Sequence, residues 1–209
     1  MTAIWGPLGW MTLHSVATSY SESPTSAEKE LMYTWLDLFR DTITCPNCRD
    51  HFTTMLASYR AQFPNMLASR QEFSMFSFRA HNAVNRRLNK PLQMTLAACM
   101  ETLRNNIKTR SALNYRVAYI NHITRHWNIM RDVSGMVAMK KLVQMRKIEN
   151  EYITGKDTSF AVELGADVVV LPRDALENEP QIARPIFPRI NQATAGGFRI
   201  VGGRIGLRR

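Results

Sequence analysis

The sequence predicts an all-α protein: a four- to five-helix bundle, then further helices, then a largely irregular basic tail. Three observations carry this. Apolar residues recur at helical spacing from Leu8 to Ile148. Two helix-start signatures, Thr25-Ser26-Ala27-Glu28 and Ser69-Arg70-Gln71-Glu72, punctuate that pattern as capping boxes. Beyond Glu177 the periodicity gives way to Pro180, Pro185, Pro188, Gly196-Gly197, Gly202-Gly203 and Gly206, a composition that cannot bury enough surface to fold alone.

The totals narrow the class. At 209 residues and 45% hydrophobic content the chain fits one or two domains with a real core. No run of about 18 apolar residues appears, so no membrane span is expected. The start, Met1-Thr2-Ala3-Ile4-Trp5-Gly6-Pro7, has no basic segment followed by an apolar one and does not read as a secretory signal. Three cysteines are too few for a disulfide-built scaffold, so a disulfide here is expected to be used rather than structural. The net charge of +10 divides as +3 over residues 1–109, +5 over 110–155 and +2 over 156–209. These three segments are the expected domain organisation: a helical domain, a basic helical extension, and an extended or disordered C-terminal arm.

A first helix is expected from Pro7 to about Ser19, carrying Leu8, Trp10, Leu13, His14, Val16 and Ala17. Trp10 and His14 share a face at i, i+4; the plain reading is a core aromatic beside a satisfied histidine. Ser21-Glu22-Ser23-Pro24 breaks the chain, and a second helix then presents Leu31, Trp35, Leu38 and Phe39. It ends in Asp41-Thr42-Ile43-Thr44. A third helix buries Phe52, Met55, Leu56 and Tyr59 and stops before Pro64. A fourth, opened at Ser69, runs through Phe73, Phe76, His81, Val84 and Leu88 to Lys90-Pro91. Asparagine is mildly unfavourable inside a helix. Asn82 and Asn85 beside His81 therefore make either a solvated face or a polar surface for something planar and rich in heteroatoms.

Cys45-Pro46-Asn47-Cys48 is the centre of the chemistry. Three-residue spacing lets both sulfurs meet across one helical turn, and Pro46 suits the first helical position. Cys45 at the N-cap feels the positive end of the helix dipole and the charge of Arg49, which favours the thiolate that disulfide exchange requires. The same spacing is half of a zinc site, so zinc held by Cys45, Cys48 and His51 or His81 stands as the alternative.

Taken together, Trp5-Gly6-Pro7, Trp10, Leu13-His14, Tyr20, Pro24, Cys45-x-x-Cys48 with His51-Phe52, Ser69-Arg70, and His81-Asn82-x-Val84-Asn85 with Leu88 and Lys90 resemble the Erv/ALR family of flavin-linked sulfhydryl oxidases. The resemblance covers residues 4 to 92. It implies a small helical bundle that holds FAD noncovalently beside the dithiol, homodimers built across the first helices, and oxidation of protein thiols by molecular oxygen with release of hydrogen peroxide. Carried over by position, Gly6, Trp10, His14, His51, His81, Asn82, Val84, Asn85 and Lys90 become cofactor contacts. Cys48 becomes the sulfur nearest the flavin and Cys45 the one that exchanges with substrate. No metal is implied. Phe76 replaces a tryptophan usual in the family. Cys99 is unpaired, so no separate shuttle dithiol exists and substrates must reach Cys45 directly. Cys99 itself reads as a small buried apolar residue in a helix after Thr95.

From Ser111, Leu113, Val117, Ile120, Ile123, Trp127, Met130 and Val133 continue at helical spacing, as do Val137, Leu142, Met145 and Ile148 after Gly135, which predicts one or two further helices. Arg110, Arg116, Arg125, Arg131, Lys140, Lys141, Arg146 and Lys147 surround them. Such a surface suits nucleic acid or acidic protein, yet without interleaved exposed aromatics or a nucleic-acid motif a solvated surface is the preferred reading. Ala166-Asp167-Val168-Val169-Val170-Leu171-Pro172 is a candidate strand. Compact members of the family occur in large cytoplasmic DNA viruses. The host cytoplasm or the virion is accordingly the expected location, and a capsid or assembly protein whose residues 110–209 contact neighbouring subunits is the alternative function.

Overall fold

The computed structural model describes residues 2–93, 95–156 and 159–162. Among these, seven α-helices and one π-helical turn account for the regular structure: α1 (Thr2–Thr18), α2 (Ser26–Thr42), α3 (Pro46–Gln62), α4 (Arg70–Arg87), α5 (Leu96–Ile107), α6 (Ala112–Ile129), α7 (Val133–Ile148) and the turn Glu149–Ile153. The candidate strand and most of the 156–209 arm lie outside the described residues.

α1 is the hub. Every residue from Met11 to Tyr20 is buried, polar ones included, because α4 packs on one side and α6 on another. A helix enclosed all round is the usual consequence of apolar residues on every face. It starts at Thr2, earlier than the expected start at Pro7, with Pro7 inside it. As the sixth residue of α1, Pro7 lies past the first four N–H groups that lack intrahelical partners, so the helix forfeits one backbone bond there.

The starts of the helices follow their sequences. Thr25 caps α2 with a complete capping box. At Ser69 only half of the expected box forms: its hydroxyl accepts from the Glu72 N–H. Thr95, Ser111 and Asp132 cap α5, α6 and α7 in the same manner. Each cap stabilises its helix by about 1 kcal/mol. α4 closes with Asn89 in the left-handed region, φ 52°. The Lys90 N–H then bonds the Asn85 carbonyl and the Asn89 N–H the Arg86 carbonyl, a Schellman closure in which asparagine tolerates the positive φ.

α6 and α7, the helices of the 110–155 segment, lie on α1 and α2 and share their core. Tyr119, Ile120, Ile123 and Trp127 of α6 join Leu13, Val16, Trp35 and Phe39 in one apolar cluster. Arg116, only 2% exposed, pairs with buried Glu149 of the π-helical turn and donates to the Ser15 hydroxyl of α1. A buried charge needs such a full set of partners. The α6–α7 turn is close: a side chain at Gly135 would meet the Met130 carbonyl oxygen at 1.8 Å.

Candidate functional site

α3 begins at Pro46 with Cys45 as its N-cap, as its sequence requires. Cys45 and Cys48 are joined in a disulfide, their Cα atoms 5.2 Å apart. Cys45 Sγ also accepts the Cys48 N–H at 3.3 Å, so the first turn of α3 presents its donors to the sulfur that caps it. Both cysteines are half-buried, while Pro46 and Asn47 between them are exposed. The approach to the motif is held from far along the chain: the indole N–H of Trp127 on α6 donates to the Thr42 carbonyl at the end of α2, 2.9 Å away.

Behind Cys48 lies a cavity of about 550 Å³ between α1, α3, α4 and α5, within the range of about 300–1,000 Å³ usual for ligand and cofactor sites. Of the residues expected at a site, Gly6, Trp10, His14, Cys48, His81, Val84, Asn85 and Lys90 line it. Its inner wall is a polar aromatic cluster. The rings of Trp10 and His81 stack with centroids 4.3 Å apart and planes 8° from parallel. His81 Nδ1 lies 3.0 Å from His14 Nε2, and His14 Nδ1 lies 2.9 Å from the Ser77 hydroxyl. Burial, and after it the neighbouring His81, holds His14 well below its usual pKa of 6.5. Burial and then the charge of Lys90 bring His81 down to about 4. Both rings are therefore neutral at pH 7.

Three expected residues do not line the cavity. Cys45, half-buried like the Cys48 it is bonded to, is outside the lining. His51 lies half-buried on α3. Asn82 is buried with both ends of its amide bonded to the backbone of Gln93, Nδ2 donating to the carbonyl at 2.8 Å and Oδ1 accepting the N–H at 3.0 Å. Asn85 donates to the Pro91 carbonyl at 3.2 Å. The two asparagines thus hold the turn that carries Lys90 and Gln93 into the wall. Among the described residues, no group of three or more His, Cys, Asp or Glu is gathered as a metal would require.

Sequence reasoning missed several lining residues. Phe39, Ile43, Gln93 and Thr102 come from separate segments and nothing local marks them, whereas Trp5 stands in the Trp5-Gly6-Pro7 run beside the expected contact Gly6. Ser77 did carry a signal: it stands one helical turn before His81. Cys99 is buried as expected, with its thiol pushed up to about 12, but it also reaches the cavity wall. The indole N–H of Trp5, at the same wall, is buried without a partner, a donor suited to a heteroatom of a bound ring.

The model of the Erv1/Alr family matches residues 8–114, more than half of the chain. The chain belongs to the Erv1/Alr family. Among its relatives, the FAD-linked sulfhydryl oxidase of African swine fever virus (isolate Tick/Malawi/Lil 20-1/1983) is 36% identical over 88 residues, 42% of this chain and 71% of that protein. A protein of Invertebrate iridescent virus 3 that also bears the name FAD-linked sulfhydryl oxidase is 34% identical over 88 residues, 42% of this chain and 58% of its own length. A third, from Acanthamoeba polyphaga mimivirus and of the same name, is 27% identical over 138 residues, covering 66% of this chain and 95% of that relative. No solved structure matches.

Proposed function

We propose that this Erv1/Alr protein is an FAD-linked sulfhydryl oxidase that forms disulfides in protein substrates. The observation that carries the reading is Cys48 on the wall of the same cavity as the Trp10–His81 stack, with Cys45 bonded to it from outside the lining. FAD fits this donor set. Trp10 and His81 offer flat faces, Trp5 an unpartnered N–H, and Asn85, Lys90 and Gln93 a polar end with a cation for phosphate. When bound, FAD supplies two-electron redox chemistry, with molecular oxygen as final acceptor and hydrogen peroxide as product.

The residues of the chain do the rest. A substrate thiolate attacks Cys45 Sγ, the Cys45–Cys48 bond breaks, and Cys48 leaves as a thiolate. A second substrate thiol then displaces Cys45, so the substrate gains one disulfide and the pair holds the two electrons. The N-terminal turn of α3 stabilises the Cys45 thiolate through the exposed N–H groups and helix dipole. With no second dithiol in the described chain, substrates meet Cys45 directly. Relatives from three viruses favour the host cytoplasm or the virion as the location. Exposed Ile129, Val133 and Met136 at the α6–α7 corner favour a second role for 110–155 in contacting neighbouring subunits, which protection of that corner from proteases in an assembled particle tests.

The purified full chain is expected to show a flavin spectrum and to take up oxygen with dithiothreitol. Cys45→Ser and Cys48→Ser should each reduce that uptake to background while leaving the flavin bound. Colourless protein without oxygen uptake refutes the reading.

A further inference from the structure

Ser77 belongs to none of the motifs that mark this chain. It is fully buried on α4, with its hydroxyl 2.8 Å from the Ser74 carbonyl and 2.9 Å from His14 Nδ1. A hydroxyl has one proton to give. Donation to the carbonyl three residues back, a common bond of helical serine, leaves Oγ only as an acceptor. His14 Nδ1 must then carry a proton. Because His14 is neutral, its Nε2 is bare, and the contact of 3.0 Å to His81 makes His81 Nδ1 the donor. His81 is neutral too, so its remaining nitrogen, Nε2, is bare. The parallel stack on Trp10 holds the plane of that ring, and the 3.0 Å contact of its Nδ1 with His14 sets which way round it sits.

We infer that Ser77 fixes the protons of the His14–His81 pair so that His81 offers the cavity a hydrogen-bond acceptor at Nε2, selecting an N–H or amino group on the bound cofactor. Ser77 reaches no cofactor itself, so it is a positioning residue. The reverse chain has the opposite polarity: if Ser77 donated to His14, both rings would be protonated at Nε2 and the cavity would meet a donor. The 2.8 Å bond to Ser74 selects between the two. The selection of a ligand group rests on the proposal that the cavity holds FAD; the ring protonation does not.

The test is nitrogen-15 NMR of histidine-labelled full-length protein at pH 7, with FAD bound and after its removal. Protonated Nδ1 and bare Nε2 are expected for both His14 and His81. In Ser77→Ala the proton should leave His14 Nδ1, and FAD should bind about tenfold more weakly. Rings protonated at Nε2 in the unmodified protein overturn the inference, as does a Ser77→Ala protein with unchanged ring protonation. Should Ser77→Ala not fold, the unmodified protein alone decides. A chain that binds no flavin refutes the proposed oxidase and leaves the ring protonation to be read separately.

Discussion

His14 and His81 are neutral in the fold because burial withholds water from the charged ring. In the unfolded chain both titrate near 6.5, whereas folded His81 resists protonation until about pH 4. Between those values the unfolded state binds more protons, so stability is full above about 6.5 and declines as pH falls toward 4. Each unit of depression is worth about 1.4 kcal/mol. The urea midpoint is expected to drop between pH 7.5 and pH 4.5, and to drop less in His81→Gln; equal losses in both proteins would remove His81 as a cause. At this scale the sequence was partly legible. The i, i+4 pairing of Trp10 with His14 and the asparagines around His81 were readable because they lie within single helices. The stack of Trp10 on His81 was not, since it joins residues on different helices. Nor was the bonding of Asn82 to Gln93, which depends on how the chain turns after α4.

Elements were legible where punctuation is chemical. Thr25, Cys45-Pro46, Ser69 and Thr95 set helix starts through side-chain bonds that a sequence displays. The start of α1 was not legible, because Pro7 resembles a first helical residue and the fold tolerates it further in. The junction of α6 and α7 was also hidden: Gly135 read as a break between apolar runs, yet it lies inside the first turn of α7 where backbone crosses backbone. Alanine for glycine within a helix ordinarily adds about 1 kcal/mol of stability. Here the sign should reverse, because a methyl group cannot share space with the Met130 carbonyl. Thermal melting of Gly135→Ala should show a lower midpoint than the unmodified chain, and a higher one would refute the close packing of this turn.

Across the whole molecule, the residues past 109 are where composition misleads. Their surplus of positive charge suggests an appendage, but α6 and α7 bring Tyr119, Ile120, Ile123 and Trp127 into the same apolar cluster as α1 and α2. An apolar stripe shows that a helix packs, not against what. The similarity to the mimivirus relative, at 138 residues, likewise extends past residue 109. A chain cut after residue 109 should therefore expose that core and aggregate, or fail to give a cooperative transition by circular dichroism, while one cut after residue 156 should melt cooperatively. A well-folded 1–109 fragment would show that α6 and α7 are dispensable to the bundle. Those helices also cover faces of α1 and α2, the helices across which the family resemblance implies a dimer. The bond from Trp127 to Thr42 adds a matter of timing. The residues it joins are 85 positions apart, and at about 5–20 residues per second of synthesis the dithiol segment is made roughly 4–17 s before its clamp. During that interval a nascent chain carries two thiols whose supporting helix does not yet exist, so the order of translation, as well as the finished fold, governs when this pair first meets an oxidant.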